Sequence, residues 1–486
     1  MHSSFNYRLC PDSASENSDE QAFPLALALF KEASRRVPAY RDFLDKAGIN
    51  PDSINTKADF SRLPLMDKEN YIAKYSLEEV SWDGSLRSAN YLSSSSGSTG
   101  SPFFWPRSAR QDVIVGHMLQ PLFERMFDTK KTTTFFCNSF ALGTWIAGLL
   151  YYNATKWIAD QGNAILVASP GIDKEETIRE IRRFSSSFDQ VILAGYPPFI
   201  KDVISFGKEA GVKWEDMNIR LLLGGESISE PWRKNLLSLL GGPQSLARII
   251  SVYGMAETGF IAHETPLSIA LKQELSASSA DIFPQQEKIA GFYQYYPATR
   301  YFEVVEEDSL LLTADAGIPL IRYYTRDSGG IADYAAVMRQ KKTLAGLPAA
   351  EVGNWQMPFL YLYGRKDLSV SFYALKMYVG NVKSALEQSP FYSQLSGLFT
   401  MRVEQTANFD QRLEFTIELS RGQEPSEHMT HIVAEFLHHK LQETSSEYTK
   451  LCTAIGERAT PHVTLVPYGT ITTVPGKKHK WVAAST

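Results

Sequence analysis

The chain has 486 residues and a formal net charge of −5, from 49 Lys and Arg against 54 Asp and Glu. That length exceeds one ordinary core, and that charge excludes an electrostatic nucleic-acid binder, so two or more domains and no nucleic-acid partner are expected. Hydrophobic residues make up 44% and charged residues 21%, the balance of a soluble globular protein. The three cysteines, Cys10, Cys137 and Cys452, are odd in number and far apart. This argues against a disulfide framework or a structural zinc site and fits a reducing compartment.

Residues 1–21 are rich in Ser, Asp, Asn and Glu and contain no apolar segment. A flexible tail without a signal peptide is expected, and with it a cytoplasmic location. Pro24 suits the first turn of a helix, with Phe23, Leu27 and Phe30 on one face. A second amphipathic helix is expected over 110–127, with Val113, Met118, Leu122 and Phe123 directed to the core. Residues 135–152 are the most apolar stretch, but Asn138, Ser139 and Thr144 interrupt it. They predict a buried strand and helix and no membrane span. Short apolar runs follow at 190–196 (QVILAGY), 220–223 and 248–252, alternating with helical segments such as 173–184. This alternation predicts α/β layers with functional groups on loops at the strand ends. The character changes near residue 364, and the remaining stretch of about 120 residues is enough for a small domain. Within it, His428, His431, Glu435 and His438 share one helix face opposite Ile432, Val433, Phe436 and Leu441. A solvated polar face is the expectation there, not a metal site.

The strongest local signal is YLSSSSGSTGSP at 91–102. Ser95, Ser96, Gly97, Ser98, Thr99 and Gly100 crowd hydroxyls and glycines into one loop. Small residues let backbone N–H groups approach a phosphate, and hydroxyls add donors. No Gly-Lys-Ser/Thr follows, so this is not a Walker loop.

SSGSTGSP resembles the phosphate loop of acyl-adenylate-forming enzymes, the group of acyl-CoA synthetases, peptide-synthetase adenylation domains and firefly luciferase. Many of these carry Lys after the Pro, where this chain has Phe103. The phenylacetate–CoA ligase branch commonly lacks that Lys, and residues 37–71 (VPAYRDFLDKAGINPDSINTKADFSRLPLMDKENY) are similar to its N-terminal region. The resemblance continues in order through nearly the whole chain. In LLLGGESIS (221–229) it implies that Gly224, Gly225 and Glu226 lie along adenine. In YGMAETG (253–259) it implies Tyr253 against adenine and Glu257 on Mg²⁺, with Gly254, Met255, Ala256 and Thr258 lining the nucleotide. Many members have Thr or Ser at the position of Ala256. In PLIRYYTRD (319–327), Asp327 would accept hydrogen bonds from the ribose hydroxyls. In YGRKD (363–367), Arg365 would reach the ribose and Asp367 would be the hinge. In VPGKKHK (474–480), Lys477 matches the adenylation lysine. A cation there lowers the repulsion between an attacking carboxylate and the α-phosphate. Two departures stand out in 369–383. Ala374 replaces the usual Gly of the pantetheine tunnel, and Lys383 replaces a usual acidic residue.

The resulting expectation is an α/β protein: a large multi-layer N-terminal adenylating domain over 22–363, then a small mobile α+β C-terminal lid domain over 364–486. The expected reaction is ATP- and Mg²⁺-dependent activation of a carboxylic acid to acyl-AMP, with pyrophosphate release, then transfer to a thiol, CoA foremost. A carrier-protein phosphopantetheine or an amine as acceptor stays open. So does a non-catalytic nucleotide-binding protein on a degenerate adenylating fold, and so does the oligomeric state, a homodimer included. The acid is expected against Phe140, Trp145, Tyr196 and Phe199, an aromatic lining suited to an aryl or other apolar acid. Segments 137–145 and 194–199 contain no Asp, which weighs against an amino-acid substrate.

Overall fold

The computed structural model describes residues 18–94, 103–144, 146–243, 245–277, 283, 289–339, 355–365, 368–373, 375–405, 411–471 and 479–483. Helix α1 spans Ser18–Arg36 and α2 spans Pro38–Lys46. The first begins within the stretch expected to be a tail, with Pro24 inside the helix and not in its first turn. The acidic Glu20 favours the earlier start, because a negative charge is favoured near the positive end of the helix dipole. Phe30, Ala33, Tyr40 and Leu44 of these helices form one apolar cluster with Phe60, Met66, Tyr71 and Trp105.

A hairpin of β1 (Tyr91–Ser94) and β2 (Phe104–Arg107) flanks the serine-rich loop, with Ser94 opposite Phe104. Helix α3 (Ala109–Met126) follows. Its buried stripe is Ile114, Val115, Met118, Leu119, Leu122, Phe123 and Met126. Val113 is off that stripe and exposed, contrary to the sequence expectation. The reason is phase: at 3.6 residues per turn, Ile114, Met118 and Leu122 align, and Val113 falls beside them.

The central sheet has eleven strands. Chain order gives β3 (Thr134–Ser139), α4 (Ile146–Asp160), β4 (Ile165–Ala168), α5 (Lys174–Phe184), β5 (Gln190–Gly195), α6 (Pro197–Glu209), β6 (Ile219–Gly224), α7 (Glu230–Leu240) and β7 (Ile249–Met255). Then come β8 (Gly259–His263), α8 (Pro266–Ala277), β9 (Gly291–Tyr295), β10 (Tyr301–Val305), β11 (Ser309–Ala314), β12 (Leu320–Ala332) and β13 (Phe359–Arg365). The strands lie in the order β10-β11-β12-β13-β9-β8-β7-β6-β5-β3-β4. From β4 to β7 the pairings are parallel; from β7 to β10 they are antiparallel. Side-chain alternation divides the parallel half into two layers. Phe136, Ile192, Leu222 and Ile250 point into one cluster, while Phe135, Leu193, Leu221 and Ile249 point into the other.

A smaller unit follows. It contains the hairpin β14 (Ser369–Phe372) and β15 (Leu375–Tyr378), helix α9 (Val379–Glu387), β16 (Leu395–Gln405), β17 (Gln411–Leu419), α10 (Glu427–Thr444), α11 (Ser446–Ile455) and β18 (His462–Val466). Strands β16, β17 and β18 form one sheet. Val382, Phe399, Phe415, Leu437, Leu441 and Trp481 belong to a hydrophobic core that, among the described residues, is drawn only from the chain beyond residue 367. The protein is therefore α/β, with a large N-terminal unit and a smaller α+β unit that has its own core. On α10, His431 and Glu435 are exposed, and His438 meets the Tyr448 hydroxyl at 3.0 Å. Among the described residues no His, Cys, Asp or Glu cluster could hold a metal by itself. No described helix is long and apolar enough to cross a membrane.

Candidate nucleotide and acid site

Strand β3 is flanked by β4 on one side and β5 on the other, so the order of the parallel strands reverses between β3 and β5. Open parallel sheets bind ligands in the crevice at the carboxyl ends of such strands. The carboxyl ends here carry Phe140 after β3, Tyr196 after β5, the Gly224–Gly225–Glu226 turn at the end of β6, and Tyr253 to Met255 on β7. Gly225 has φ of 107°, a conformation that side chains disfavour. A Cβ on Gly224 would sit 2.9 Å from Val252 Cγ2 and 3.3 Å from the Phe140 ring. The turn is thus glycine by necessity, and backbone lies open beside the crevice.

Tyr253 brings β7 to β12. Its hydroxyl donates to Asp327 Oδ2, and its ring stacks on Tyr293 with centroids 6.0 Å apart. Burial and the Asp327 carboxylate push the Tyr253 hydroxyl well above its usual pKa. Asp327 sits directly opposite Arg365 in the β12–β13 ladder. Arg326, just before it, has φ of 67°, and the register shifts between Ser328 and Gly329. Bulges of this kind re-aim side chains next to sites.

Glu257 is buried at the turn between β7 and β8. Lys68 Nζ lies 2.7 Å from its Oε1, and the Tyr323 hydroxyl donates to the same oxygen at 3.1 Å. Burial raises the pKa of this carboxyl, but Lys68 and Tyr323 more than offset that and hold it below the usual carboxylate range. The Lys68 ammonium also lies 5.8 Å from the Phe103 ring and 5.9 Å from the Trp105 ring. Phe103 is the residue that stands where many similar loops carry Lys, so a cation reaches that place from another segment. Nothing in the local sequence points from Lys68 to Glu257. The link is made by a bridge between Met66 and Tyr323, with Tyr324 N–H donating to Met66 O at 2.8 Å. Arg107 completes the region. Its Nε donates to Ser93 Oγ at 3.0 Å, and its guanidinium also bonds the Ala256 carbonyl. Burial lowers its pKa to about 10, so it stays charged at neutral pH. The Thr258 hydroxyl is buried with no hydrogen-bond partner among the described residues.

The expected acid pocket is only partly assembled. Phe140 stacks on Tyr151 with centroids 4.8 Å apart and an interplanar angle of 11°. Tyr196 packs beside Gly225, so these two aromatics flank the glycine turn. Phe199 instead packs under the opposite face of the sheet, among Ile178, Leu193 and Trp232. The position of Phe199 on α6, three residues beyond Tyr196, carries it to the other layer. Ser95, Ser96, Gly97, Ser98, Thr99, Gly100, Trp145, Asp367 and Lys477 lie outside the described residues.

Glu226 joins the two units. Its Oε2 accepts from the Tyr196 hydroxyl at 3.1 Å, and its Oε1 pairs with Lys383 on α9. Neither the turn residue's role as a carboxylate partner nor its reach to α9 was legible from LLLGGESIS.

No family model and no curated protein matches the chain. Its fold does match solved structures. A 2-hydroxyisobutyryl-CoA ligase in the postadenylation state aligns over 99% of this chain and 93% of its own, with TM-score 0.66 and 14% identity. The chain has the fold of these adenylate-forming ligases. The same ligase in the thioesterification state, with 2-HIB-AMP and CoA, aligns over 99% of this chain and 95% of its own, with TM-score 0.53 and 15% identity. An acyl acid amido synthetase, AtGH3.15 with 2,4-DB, aligns over all of this chain and 96% of its own, with TM-score 0.60 and 15% identity. The adenylate-forming fold therefore extends over both units of the protein.

Proposed function

We propose that this protein activates a carboxylic acid with ATP, forming acyl-AMP and pyrophosphate, and then transfers the acyl group to a thiol, CoA foremost. The supporting observation is convergence. Tyr253 and Glu257, Asp327, and Arg365 come from three separate segments, yet Tyr253 bonds Asp327, Asp327 faces Arg365, and Glu257 sits on the turn that Tyr253 leads into. In this reading Asp327 and Arg365 hold the ribose, and Tyr253 with Gly224 to Glu226 lines the adenine. Phe140 and Tyr196 border the acid, which is aryl or otherwise apolar.

Mg²⁺ fits the residues present: Glu257 is a buried carboxylate already facing a cation, and the Thr258 hydroxyl beside it has no hydrogen-bond partner among the described residues. Hard oxygen donors plus substrate phosphates are what this ion takes. When bound, it would neutralise phosphate charge. Lys68 supplies a second cation at the phosphates, in the place that Phe103 cannot fill. In the first step a carboxylate oxygen bonds the α-phosphorus and the bond to the pyrophosphate oxygen breaks. Lys477 compensates the charge that gathers there. In the second step a thiolate attacks the acyl carbonyl and AMP leaves. The boundary at 364, the hinge at Asp367 and rotation of the small unit between the steps belong to this reading. The higher TM-score against the postadenylation state than against the thioesterification state of one ligase supports a small unit placed here for the first step.

An amine acceptor is the second reading, favoured by the fold match to the amido synthetase. The test is acid-dependent pyrophosphate release from MgATP over aryl, fatty and amino acids, with and without CoA. Release with one acid class and turnover that requires CoA are expected. Lys477→Ala should lower acyl-AMP formation about a thousandfold while ATP still binds. ATP binding without release for any acid, or an undiminished rate in Lys477→Ala, would overturn the reading.

A further inference from the structure

Lys383 stands where the resembled enzymes carry an acid, and the structure shows where its charge goes. Its Nζ pairs with Glu226 across the two units, and both side chains are largely buried. Glu226 also accepts from Tyr196. One carboxylate thus ties together the tyrosine of the acid crevice and the lysine of the small unit. The ammonium also lies 5.6 Å from the Trp481 ring.

Trp481 belongs to the last described segment. Its carbonyl accepts from Met401 N–H at 2.8 Å, and the ring of His479 meets it edge-on with centroids 4.4 Å apart. The His479 imidazole contacts the Phe399 carbonyl at 2.7 Å, and its backbone N–H bonds the Tyr196 hydroxyl. In the sequence His479 follows Lys477 by two positions. The same seam carries a second set of contacts. The Ser229 hydroxyl donates to the Glu387 carboxylate, and Asn235 Nδ2 donates to the Glu387 carbonyl at 3.1 Å. Lys201 Nζ, on α6, donates to the carbonyls of Leu395 and Ser396 at 3.3 and 3.2 Å.

These contacts share one property. The pairs that cross the seam, Lys383 with Glu226, Glu387 with Ser229 and Asn235, and Lys201 with Leu395 and Ser396, exist only in this arrangement of the two units. Rotation of the small unit would carry Lys383 and Glu387 away together on α9 and leave Glu226 without the Lys383 charge. An unpaired buried charge is costly, so the pair weights the equilibrium toward the arrangement seen here.

We infer that Lys383, paired with Glu226, is a positioning residue that selects the acid-activating orientation of the small unit and holds the segment after Lys477 against Tyr196. This rests on the proposed adenylation. The pair acts on the first step alone, because the second step uses another orientation.

The experiment separates the half-reactions in the full-length protein. Acyl-AMP formation is read as single-turnover pyrophosphate release. Thioester formation is read from synthetic acyl-AMP and CoA. Lys383→Met should slow the first about tenfold and leave the second within about twofold, a loss in the range of ordinary coupling energies. Lys383→Glu should be worse, and adding Glu226→Lys should recover most of the loss. The KM for ATP is measured in each variant, so that a direct effect of Glu226 on nucleotide binding is seen separately. Equal losses in both half-reactions, or no recovery in the swapped pair, overturn the inference. A readout independent of activity is amide hydrogen exchange across α9 and the Ser227 to Ser229 turn, which should rise in Lys383→Met. If the wild type forms no acyl-AMP but exchange still rises, the proposed function fails and the seam stands. If exchange is unchanged, the seam itself is refuted.

Discussion

Replacing Lys68 with Met removes the cation facing Glu257 while keeping most of the side-chain volume. In the structure Lys68 Nζ is 2.7 Å from the carboxylate, with side-chain exposures of 22% for Lys68 and 7% for Glu257. Breaking one side of a fully buried pair costs about 3–5 kcal/mol. Lys68 retains some water, and Tyr323 still donates to Glu257, so about 2–3 kcal/mol is expected. For a unit of this size that is a fall in Tm of about 3–4 °C. The pH dependence follows by sign. In the wild type the Glu257 carboxyl titrates below its unfolded value, so its stabilisation is present above the unfolded pKa and is lost as pH falls through the lower folded one. Without Lys68 that carboxyl titrates higher, and the acid limb of stability moves to higher pH. Thermal unfolding is then repeated with saturating MgATP. If Glu257 holds the ion, a new cation faces the carboxylate and the deficit of the variant shrinks. Pyrophosphate release should nevertheless fall about a hundredfold, because one charge at the phosphates is gone. A deficit that is identical with and without MgATP, together with an unchanged rate of release, would refute the reasoning.

Asp327→Ala should raise the KM for ATP about tenfold or more while leaving kcat nearly unchanged, since it removes a charged acceptor from a site that binds without reacting; steady-state kinetics check this, and an unchanged KM would move the ribose elsewhere. His263 is buried between the Glu264 carbonyl and the Tyr296 hydroxyl, and burial lowers its pKa to about 4. Between that value and 6.5 the unfolded chain binds a proton that the folded one refuses, so stability falls as pH is lowered through this window. His263→Gln should remove about 3 kcal/mol of that slope, measured by urea unfolding at several pH values; an unchanged slope would mean the imidazole is not buried neutral.

The parallel strands were legible because buried strands read as short, continuous apolar runs, as in QVILAGY for β5. Glu257 and Asp327 stand out in the sequence only as members of an ordered series, since a lone carboxylate in a turn carries no signal. Pro24 misled because the acidic residues before it were assigned to the tail. Val113 misled because one residue of helical phase decides between core and solvent. Lys68 was invisible for a different reason. Its meeting with Glu257 depends on the pairing of Met66 with Tyr323, and no local pattern encodes a bridge between segments so distant in the chain. Lys383 was conspicuous as a departure, but its partner Glu226 had been read as an adenine-side residue. The division between Phe140 and Phe199 follows from which sheet layer each enters, and aromatic composition carries no such information.

Arg107 and Lys68 place two positive charges beside the Glu257 carboxylate, in a chain whose formal net charge is −5. In the proposed reading, a polyphosphate approaching this net-negative chain is drawn to these two cations. One of these cations is a guanidinium buried at 3% exposure, where counterions reach poorly. Dissolved salt should therefore weaken the approach of the nucleotide less than it would at an exposed basic patch. Selectivity for an anion is then a property of where the cations are buried.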